Sequence, residues 1–350
     1  MRIQEAIEKL KAGLSFSRDE AGSVMGSLLS ESAPDAEIAA LLVALRDKGE
    51  TSDELAGFAE VMRSRAREVL EAAGVREEQL AEGGPLLDTC GTGGDSKGTF
   101  NVSTATALVA AAARARVAKH GNRSISSRCG SADVLEALGV AIELPLERIP
   151  ECLDKAGMVF LFAPQLHLAM KHVMAARRSL KTRTVFNLLG PLTNPLGASR
   201  QLVGVYDPAR TEMMAGALGA MGAERAFVVT AHDGMDEISI SGPTKISETA
   251  GGVVRTRHAT PEEFGVARAE ADAIAGGDAP ANARIVLDIL GGQPGPYRDM
   301  VVANASAALV AAGRAANFLE GADRAREAID SGAAASTLET LREFTQKHRR

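Results

Sequence analysis

The sequence predicts an α/β protein in two parts. A small all-helical domain is joined to a larger α/β domain whose mainly parallel central sheet is surrounded by helices. Three observations carry this. A chain of 350 residues exceeds one ordinary core and points to about two domains. The first 70 or so residues show apolar positions at helical spacing only. After Pro85, short apolar runs alternate with helical patterns, as they do around a parallel sheet.

The helical part reads as four short helices. Ile3, Ile7, Leu10 and Leu14 share one face of the first. Ser17 and Glu20 form a capping box ahead of Val24, Met25, Leu28 and Leu29. Pro34 stands near the start of a third helix carrying Ile38, Leu41, Leu42 and Leu45, and Gly49 stops it. Thr51 with Glu54 caps a fourth, before Leu55, Phe58 and Met62. The polar stretch GVREEQLAEGG then separates the two parts.

Beyond it, PLLDTC reads as a strand and STATALVAAAARA as a helix. RVAKH and SADVLEALG repeat the pair, as do MVFLFA and QLHLAMKHVMAARRSL. QLVGVY, DPARTEMMAGALGAMG and RAFVVTA follow as strand, helix and strand. From about Thr260 the pattern is mostly helical and Ala-rich. The patterning alone places the boundary between the two parts near residue 72.

Composition bounds the function. With 45% hydrophobic and 24% charged residues the chain reads as globular. No apolar run approaches the roughly 20 residues that span a bilayer. The N-terminus MRIQEAIEKLKAG lacks the apolar core of a secretory signal, so a cytoplasmic location is expected. Cys90, Cys129 and Cys152 are isolated and read as free thiols. A net charge of −6, no Trp and two Tyr argue against a nucleic-acid surface, while leaving room for a local anion pocket.

The stretch LLDTCGTGGDSKGTFNVST (86–104) is the first candidate site. Gly91 and Gly93 begin a dinucleotide fingerprint, but Ser96 occupies the third glycine position. Gly93 and Gly98 have Walker A spacing, but Thr99 and Phe100 follow where Lys and Ser or Thr belong. What remains is a glycine turn at a strand's carboxyl end leading into a helix start. There backbone N–H groups and the helix dipole favour an anion. Ser103 and Thr104 add hydroxyls at the cap; the plain alternative is an ordinary turn with Ser103 as N-cap.

KHGNRSISSRCGSAD (119–133) occupies the same kind of position. Lys119, His120, Arg123 and Arg128 supply cations, and Asn122, Ser124, Ser126, Ser127 and Ser131 short donors. Such density suits a polyanion; a solvated basic loop with Ser131 as helix cap is the alternative. In HDGMDEISISG, adjacent Asp236 and Glu237 can ligate Mg²⁺ held mainly by substrate phosphates, or form only a solvated acidic turn. Arg177, Arg178, Lys181 and Arg183 read either as a basic helix face or as a carboxylate clamp, to which Arg is suited. His167 and His172, five apart on one predicted helix, do not match a helical zinc pair. No G-x-S-x-G or supported Cys–His pair signals covalent catalysis.

Taken together, GTGGD (91–95), NVST (101–104), KHGNRS (119–124), GSADVLEALG (130–139), FNLLGPLTNP (186–195) and DGMDE (233–237) resemble the anthranilate phosphoribosyltransferase family across nearly the whole chain. KHGNRS with FNLLGPLTNP is the specific part; GTGGD alone is weak. The resemblance implies the fold of the nucleoside phosphorylase and phosphoribosyltransferase class, with residues 1–72 as the helical domain, completed by helices within 165–190, residues 73–164 and 191–350 as the α/β domain, and the site in the hinge cleft between them. It implies transfer of the 5-phosphoribosyl group of PRPP to the amino group of anthranilate, with release of pyrophosphate, in L-tryptophan biosynthesis. It also implies two Mg²⁺ per monomer bound with PRPP, and a homodimer through the helical domain. No nucleic-acid or membrane partner is implied.

Carried over, Gly91, Gly94, Asp95 and Thr99 line the pyrophosphate and ribose of PRPP. Asn101, Val102, Ser103 and Thr104 meet it from the helix start. Lys119, His120, Gly121, Asn122, Arg123, Ser124, Ile125, Ser126 and Ser127 hold phosphate, with Ser131 at the following helix start. Asp236, Glu237 and Ser103 meet magnesium. Gly91 and Asn122 contact anthranilate and Arg177 pairs with its carboxylate. No covalent or strong-base residue is implied, because an aromatic amine is already a neutral nucleophile. Three departures stand out: Leu168 where a proline is expected, and Arg128 and Cys129 where Lys and Ser are expected. A pyrimidine-nucleoside phosphorylase is the first alternative; Asn122, the Asp236–Glu237 pair and FNLLGPLTNP argue against it. A catalytically silent, nucleic-acid-binding relative is the second, disfavoured by the net charge and the intact motifs.

Overall fold

The computed structural model describes residues 1–30, 33–124 and 128–349. Four helices open the chain, α1 (Ile3–Lys11), α2 (Arg18–Leu28), α3 (Asp35–Lys48) and α4 (Ser52–Ala72). Both sequence-predicted capping boxes form. Ser17 accepts from the Glu20 N–H and Thr51 from the Glu54 N–H, with each glutamate reaching back to its cap residue. Glu54 is fully buried, where its carboxylate meets Lys48 Nζ at 2.6 Å and the Phe16 N–H at 2.9 Å. A buried carboxylate so paired ties the start of α4 to the preceding loop.

After the short α5 (Glu77–Ala81), a single seven-stranded sheet follows. Its strands are β1 (Leu86–Gly91), β2 (Arg116–Gly121), β3 (Met158–Phe162), β4 (Arg200–Gly204), β5 (Arg225–Ala231), β6 (Thr244–Ala250) and β7 (Val253–Ala259). The spatial order is β3-β2-β1-β4-β5-β6-β7. β1 through β5 are parallel, and β6 and β7 are antiparallel. The sheet therefore grows in one direction from β1 to β3, then jumps back to place β4 on β1's other side. Between β1 and β4 lies the topological switch point, where crossover connections diverge and open a crevice at the strands' carboxyl ends.

The crossovers carry α6 (Val102–Ala112), α7 (Ser131–Ala137), α8 (Ile149–Ala156), α9 (Ala163–Leu166), α10 (Lys171–Leu180), α11 (Phe186–Leu189) and α12 (Thr211–Ala220). Four C-terminal helices follow: α13 (Ala279–Leu290), α14 (Pro296–Ala311), α15 (Phe318–Asp330) and α16 (Ala333–His348). α6 and α14 are buried nearly all round and form the heart of one core with α16 and one sheet face. A second core joins the N-terminal helices to Val173 and Ala176 of α10, to Phe186 of α11, and through α12 to the other sheet face.

Leu14, expected on the face of the first helix, lies beyond α1 and is exposed, and two features of the α/β part also depart from the sequence reading. The single helix expected over QLHLAMKHVMAARRSL is broken at His167 (φ −99°, ψ 55°), so His167 and His172 do not share a helix. The apolar spacing runs on across the break, which is why periodicity did not show it. The β6–β7 hairpin was not anticipated, although Gly251–Gly252, both at positive φ, supplies the two-residue turn such hairpins favour.

Candidate active site

The glycine turn sits where the switch point predicts. β1 ends at Gly91, paired in register with Gly204 at the end of β4. Gly93 and Gly94 then adopt φ of 64° and 76°, a region open to glycine at little cost. The turn is held by its neighbours. The Thr92 N–H donates to the Gly204 carbonyl at 2.9 Å and the Gly93 N–H to Asp236 Oδ2 at 2.8 Å. Arg183 donates to the Gly94 carbonyl while lying over the Tyr206 ring. Thr99 forms an isolated antiparallel bridge with Ala275.

α6 starts at Val102, so its N-cap is Asn101 and not Ser103; Ser103 lies in the first turn. The Asn101 side chain makes no cap bond. Its Nδ2 donates to the Cys129 carbonyl at 3.1 Å, and its Oδ1 accepts from Asn282 Nδ2 at 2.9 Å. Of the first-turn N–H groups, Val102 donates to the Phe100 carbonyl at 2.8 Å and Thr104 to the Asn101 carbonyl at 3.1 Å, while the Ser103 N–H meets the Glu237 carboxylate. Thr104 is buried, and its Oγ1 finds no partner among the described residues.

Beneath the turn lies Lys119, at the end of β2 and 1% exposed. Its Nζ donates to the Thr89 carbonyl at 2.5 Å and to Ser103 Oγ at 3.2 Å. Burial pulls its pKa down, partly offset by the charges of Asp88 and Glu237. Asp88, also buried, accepts from Asn194 Nδ2 at 2.7 Å and from the His120 N–H at 3.1 Å, and burial pushes its carboxyl up. This cross-link ties GPLTNP to KHGN inside the sheet. His120 and His167 pack edge to face at 5.1 Å. Burial holds them neutral, pulling His120 down to about 3 and His167 to about 4.

Asp236 and Glu237 reach the same floor from the turn after β5. Burial and the nearby Asp95 push the Asp236 carboxyl up. Burial and Asp236 do the same to Glu237, which the Ser103 backbone N–H partly relieves. Asp95 Oδ2 is buried without a donor among the described residues. Carboxylates forced together with unmet acceptor oxygens fit a divalent cation. Among the described residues no three His, Cys, Asp or Glu side chains form a ready cage. Mg²⁺, which takes one or two carboxylates and completes its shell with substrate phosphates, suits such a half-built site.

The second loop is only partly pre-set. Gly121 lies so close to Ser131 Oγ and Phe160 that a Cβ there would sit 2.2 Å and 2.6 Å from them. Ser131 is not the helix cap, which is Gly130; its hydroxyl accepts from the Asn122 N–H at 3.2 Å. Arg123 pairs with Glu136 and Asp133, so its charge is already engaged. The Ser124 N–H donates to Asp133 Oδ2 at 3.0 Å. Ile125, Ser126 and Ser127 lie outside the described residues. Arg177, half-buried on α10 over the Phe186 ring, has no carboxylate partner among the described residues, and burial lowers its pKa. An arginine so placed is disposed to meet a ligand carboxylate. Leu168, 55% exposed, opens the turn before α10.

Two residues at the site escaped the sequence reading. Gly204 looked like ordinary strand, yet a Cβ there would lie 1.6 Å from the Asp236 carbonyl oxygen. An isolated glycine inside a strand pattern is the signal that marks such close approach. Asn282, on α13, had no motif around it.

This fold, a doubly wound sheet flanked by a helical bundle, is that of the two-domain glycosyl transferases. Residues 4–66 match the helical bundle domain of the glycosyl transferase family and residues 83–335 its a/b domain. The anthranilate phosphoribosyltransferase of Pelotomaculum thermopropionicum is 50% identical over 98% of this chain and 96% of that protein. The crystal structure of the Thermus thermophilus enzyme of that name superposes with a TM-score of 0.87 at 43% identity, over 97% of this chain and 99% of that one. The Saccharomyces cerevisiae enzyme, in complex with PRPP and Mg, superposes with a TM-score of 0.82 at 26% identity, over 99% and 98%. The chain belongs to the anthranilate phosphoribosyltransferase family, and so is an enzyme, a glycosyltransferase of tryptophan biosynthesis.

Proposed function

We propose that the cleft at the β1–β4 switch point binds PRPP and anthranilate and forms N-(5-phosphoribosyl)anthranilate and pyrophosphate. The observation that carries this is the convergence of the Gly91–Asp95 turn, the start of α6, Lys119 and the Asp236–Glu237 pair on one floor. Backbone N–H groups of the turn, with Ser103, Thr104 and the Lys119–Ser131 loop, hold the phosphates. Gly91, Gly94, Asp95 and Thr99 line the ribose and pyrophosphate. Asp236, Glu237 and the Ser103 hydroxyl would hold two Mg²⁺ per monomer together with PRPP. When bound, Mg²⁺ neutralises the charge that pyrophosphate carries away.

The chain's own task is to position and to exclude. As the bond to pyrophosphate stretches, the anomeric carbon becomes oxocarbenium-like; donors fixed around the phosphates stabilise the departing charge without reorganising. Anthranilate attacks as a neutral amine, oriented by Arg177 at its carboxylate and by Asn122 and Gly91 near its ring, and the proton its nitrogen sheds goes to the departing pyrophosphate or to solvent. His120 is too weakly basic to serve as a strong base, in keeping with a displacement that has no covalent intermediate. We take residues 1–72 with the helices of 165–190 as the helical domain, the remainder as the α/β domain, and the cleft between them as the site. The family resemblance extends the reading to a homodimer through the helical domain and to a cytoplasmic location.

Protein mixed with PRPP, Mg²⁺ and anthranilate is expected to consume anthranilate fluorescence; no loss at high enzyme concentration sinks the reading. Arg177→Ala is expected to raise the KM for anthranilate by about tenfold to a hundredfold, the scale of a lost charge-assisted pair. The KM for PRPP should stay within about twofold. Equal effects on both substrates would remove the carboxylate role.

A further inference from the structure

Asn282 is 2% exposed, and both ends of its amide are used. Oδ1 accepts from the Gly277 N–H at 2.7 Å, and Nδ2 donates to Asn101 Oδ1 at 2.9 Å. Asn101 then donates to the Cys129 carbonyl at 3.1 Å. Three hydrogen bonds in series thus run from the turn before α13, across the start of α6, to the loop before α7.

Parallel fastenings surround this chain of bonds. The Gly276 N–H donates to the Gly98 carbonyl at 2.8 Å, and Thr99 bridges to Ala275. The two backbones run so close that a Cβ on Gly276 would lie 2.6 Å from Phe100 N and 2.6 Å from the Thr99 carbonyl oxygen. Tyr297 of α14 closes the cluster. Its hydroxyl donates to the Ala275 carbonyl at 2.7 Å, and its ring meets Phe100 edge-on at 5.2 Å.

We propose that Asn282 is a positioning residue for the phosphoribosyl donor, fixing the gap between the glycine loop and the Cys129–Gly130 segment before α7 so that both reach one polyanion. The proposal rests on the PRPP reading above. A loop with Gly93, Gly94 and Gly98 at positive φ has little stiffness of its own. Its N–H groups bind phosphate well only if their spacing is set in advance. An asparagine meets the need for one donor and one acceptor at short reach. An aspartate would lose the donor and set a charge beside the anion.

The test uses the full chain. PRPP and anthranilate kinetics are measured for Asn282→Ala, Asn101→Ala and the double variant, with thermal melts alongside. Asn282→Ala is expected to raise the KM for PRPP about tenfold, as small misplacements in a preorganised site do, with the anthranilate KM within about twofold. On the Asn101→Ala background the Asn282 effect should vanish, because the bond that transmits it is already gone. A lowered melting temperature with unchanged KM, or additive effects, overturns the proposal. Should Asn282→Ala not fold, Tyr297→Phe removes only the hydroxyl on Ala275 and should raise the PRPP KM about threefold; no change there overturns it equally. Absence of turnover in the unaltered protein overturns the transferase reading and this proposal with it. Turnover with an unaltered KM in the variants overturns this proposal alone.

Discussion

Replacing Asp236 with Asn and Glu237 with Gln together is expected to raise the Mg²⁺ concentration for half-maximal activity at least about tenfold and to lower kcat by about a hundredfold or more. The amides keep the shape and lose the charge that a small hard cation needs. The same substitution should not weaken the metal-free protein. Burial and Asp95 raise the Asp236 carboxyl from 3.8 to about 7. A carboxyl raised in the folded state favours folding while it is protonated. That contribution is complete below its unfolded value and is lost as pH rises through the folded one. Without Mg²⁺, the unaltered protein should therefore lose stability between about pH 4 and pH 7. The double variant should lack that component of the decline and melt no lower at pH 7. Melts across this range in chelator, paired with Mg²⁺ titrations of activity, read both effects. Unchanged metal dependence would falsify the assignment of this pair.

How much of this was legible follows from where each signal resides. Capping boxes are local, so Ser17–Glu20 and Thr51–Glu54 could be read directly and form as read. Strand–turn–helix alternation is also local, and it placed β1, α6, β2 and α7 around the candidate loops. Which strands would become neighbours was not local. The switch point exists because β4 lies beside β1, and nothing within either strand's residues states that. For the same reason the Asp88–Asn194 cross-link, joining residues 106 apart in sequence, was invisible. Asn101 shows the limit of motif reading. NVST marked a helix start correctly, yet its asparagine spends both amide ends on Cys129 and Asn282. The hairpin was a different case, since its Gly251–Gly252 turn was printed in the chain.

Gly204→Ala is expected to abolish turnover, by about a thousandfold or more, although residue 204 would touch neither substrate. The methyl would have to occupy space 1.6 Å from the Asp236 carbonyl oxygen and 2.5 Å from its carbonyl carbon. Both are backbone atoms, so no rotamer change relieves the contact; β4 or the Asp236 turn must move. Either movement disturbs three things at once. Gly204 pairs with Gly91 across the switch point, its carbonyl takes the Thr92 N–H, and Asp236 holds the Gly93 N–H. Overpacking of this kind costs about 1–3 kcal/mol of stability, so a lowered melting point alone would not separate a lost site from a weakened fold. Val205→Ala supplies the control. Val205 is fully buried one residue further on, and its truncation should cost a similar 1–3 kcal/mol, roughly, with no backbone displaced. If both variants melt lower by similar amounts and only Gly204→Ala loses turnover and Mg²⁺ response, the close approach of β4 to the acidic turn is what sets the site. If Gly204→Ala retains activity comparable to Val205→Ala, the turn tolerates displacement, and the geometry assigned to Asp236 is wrong.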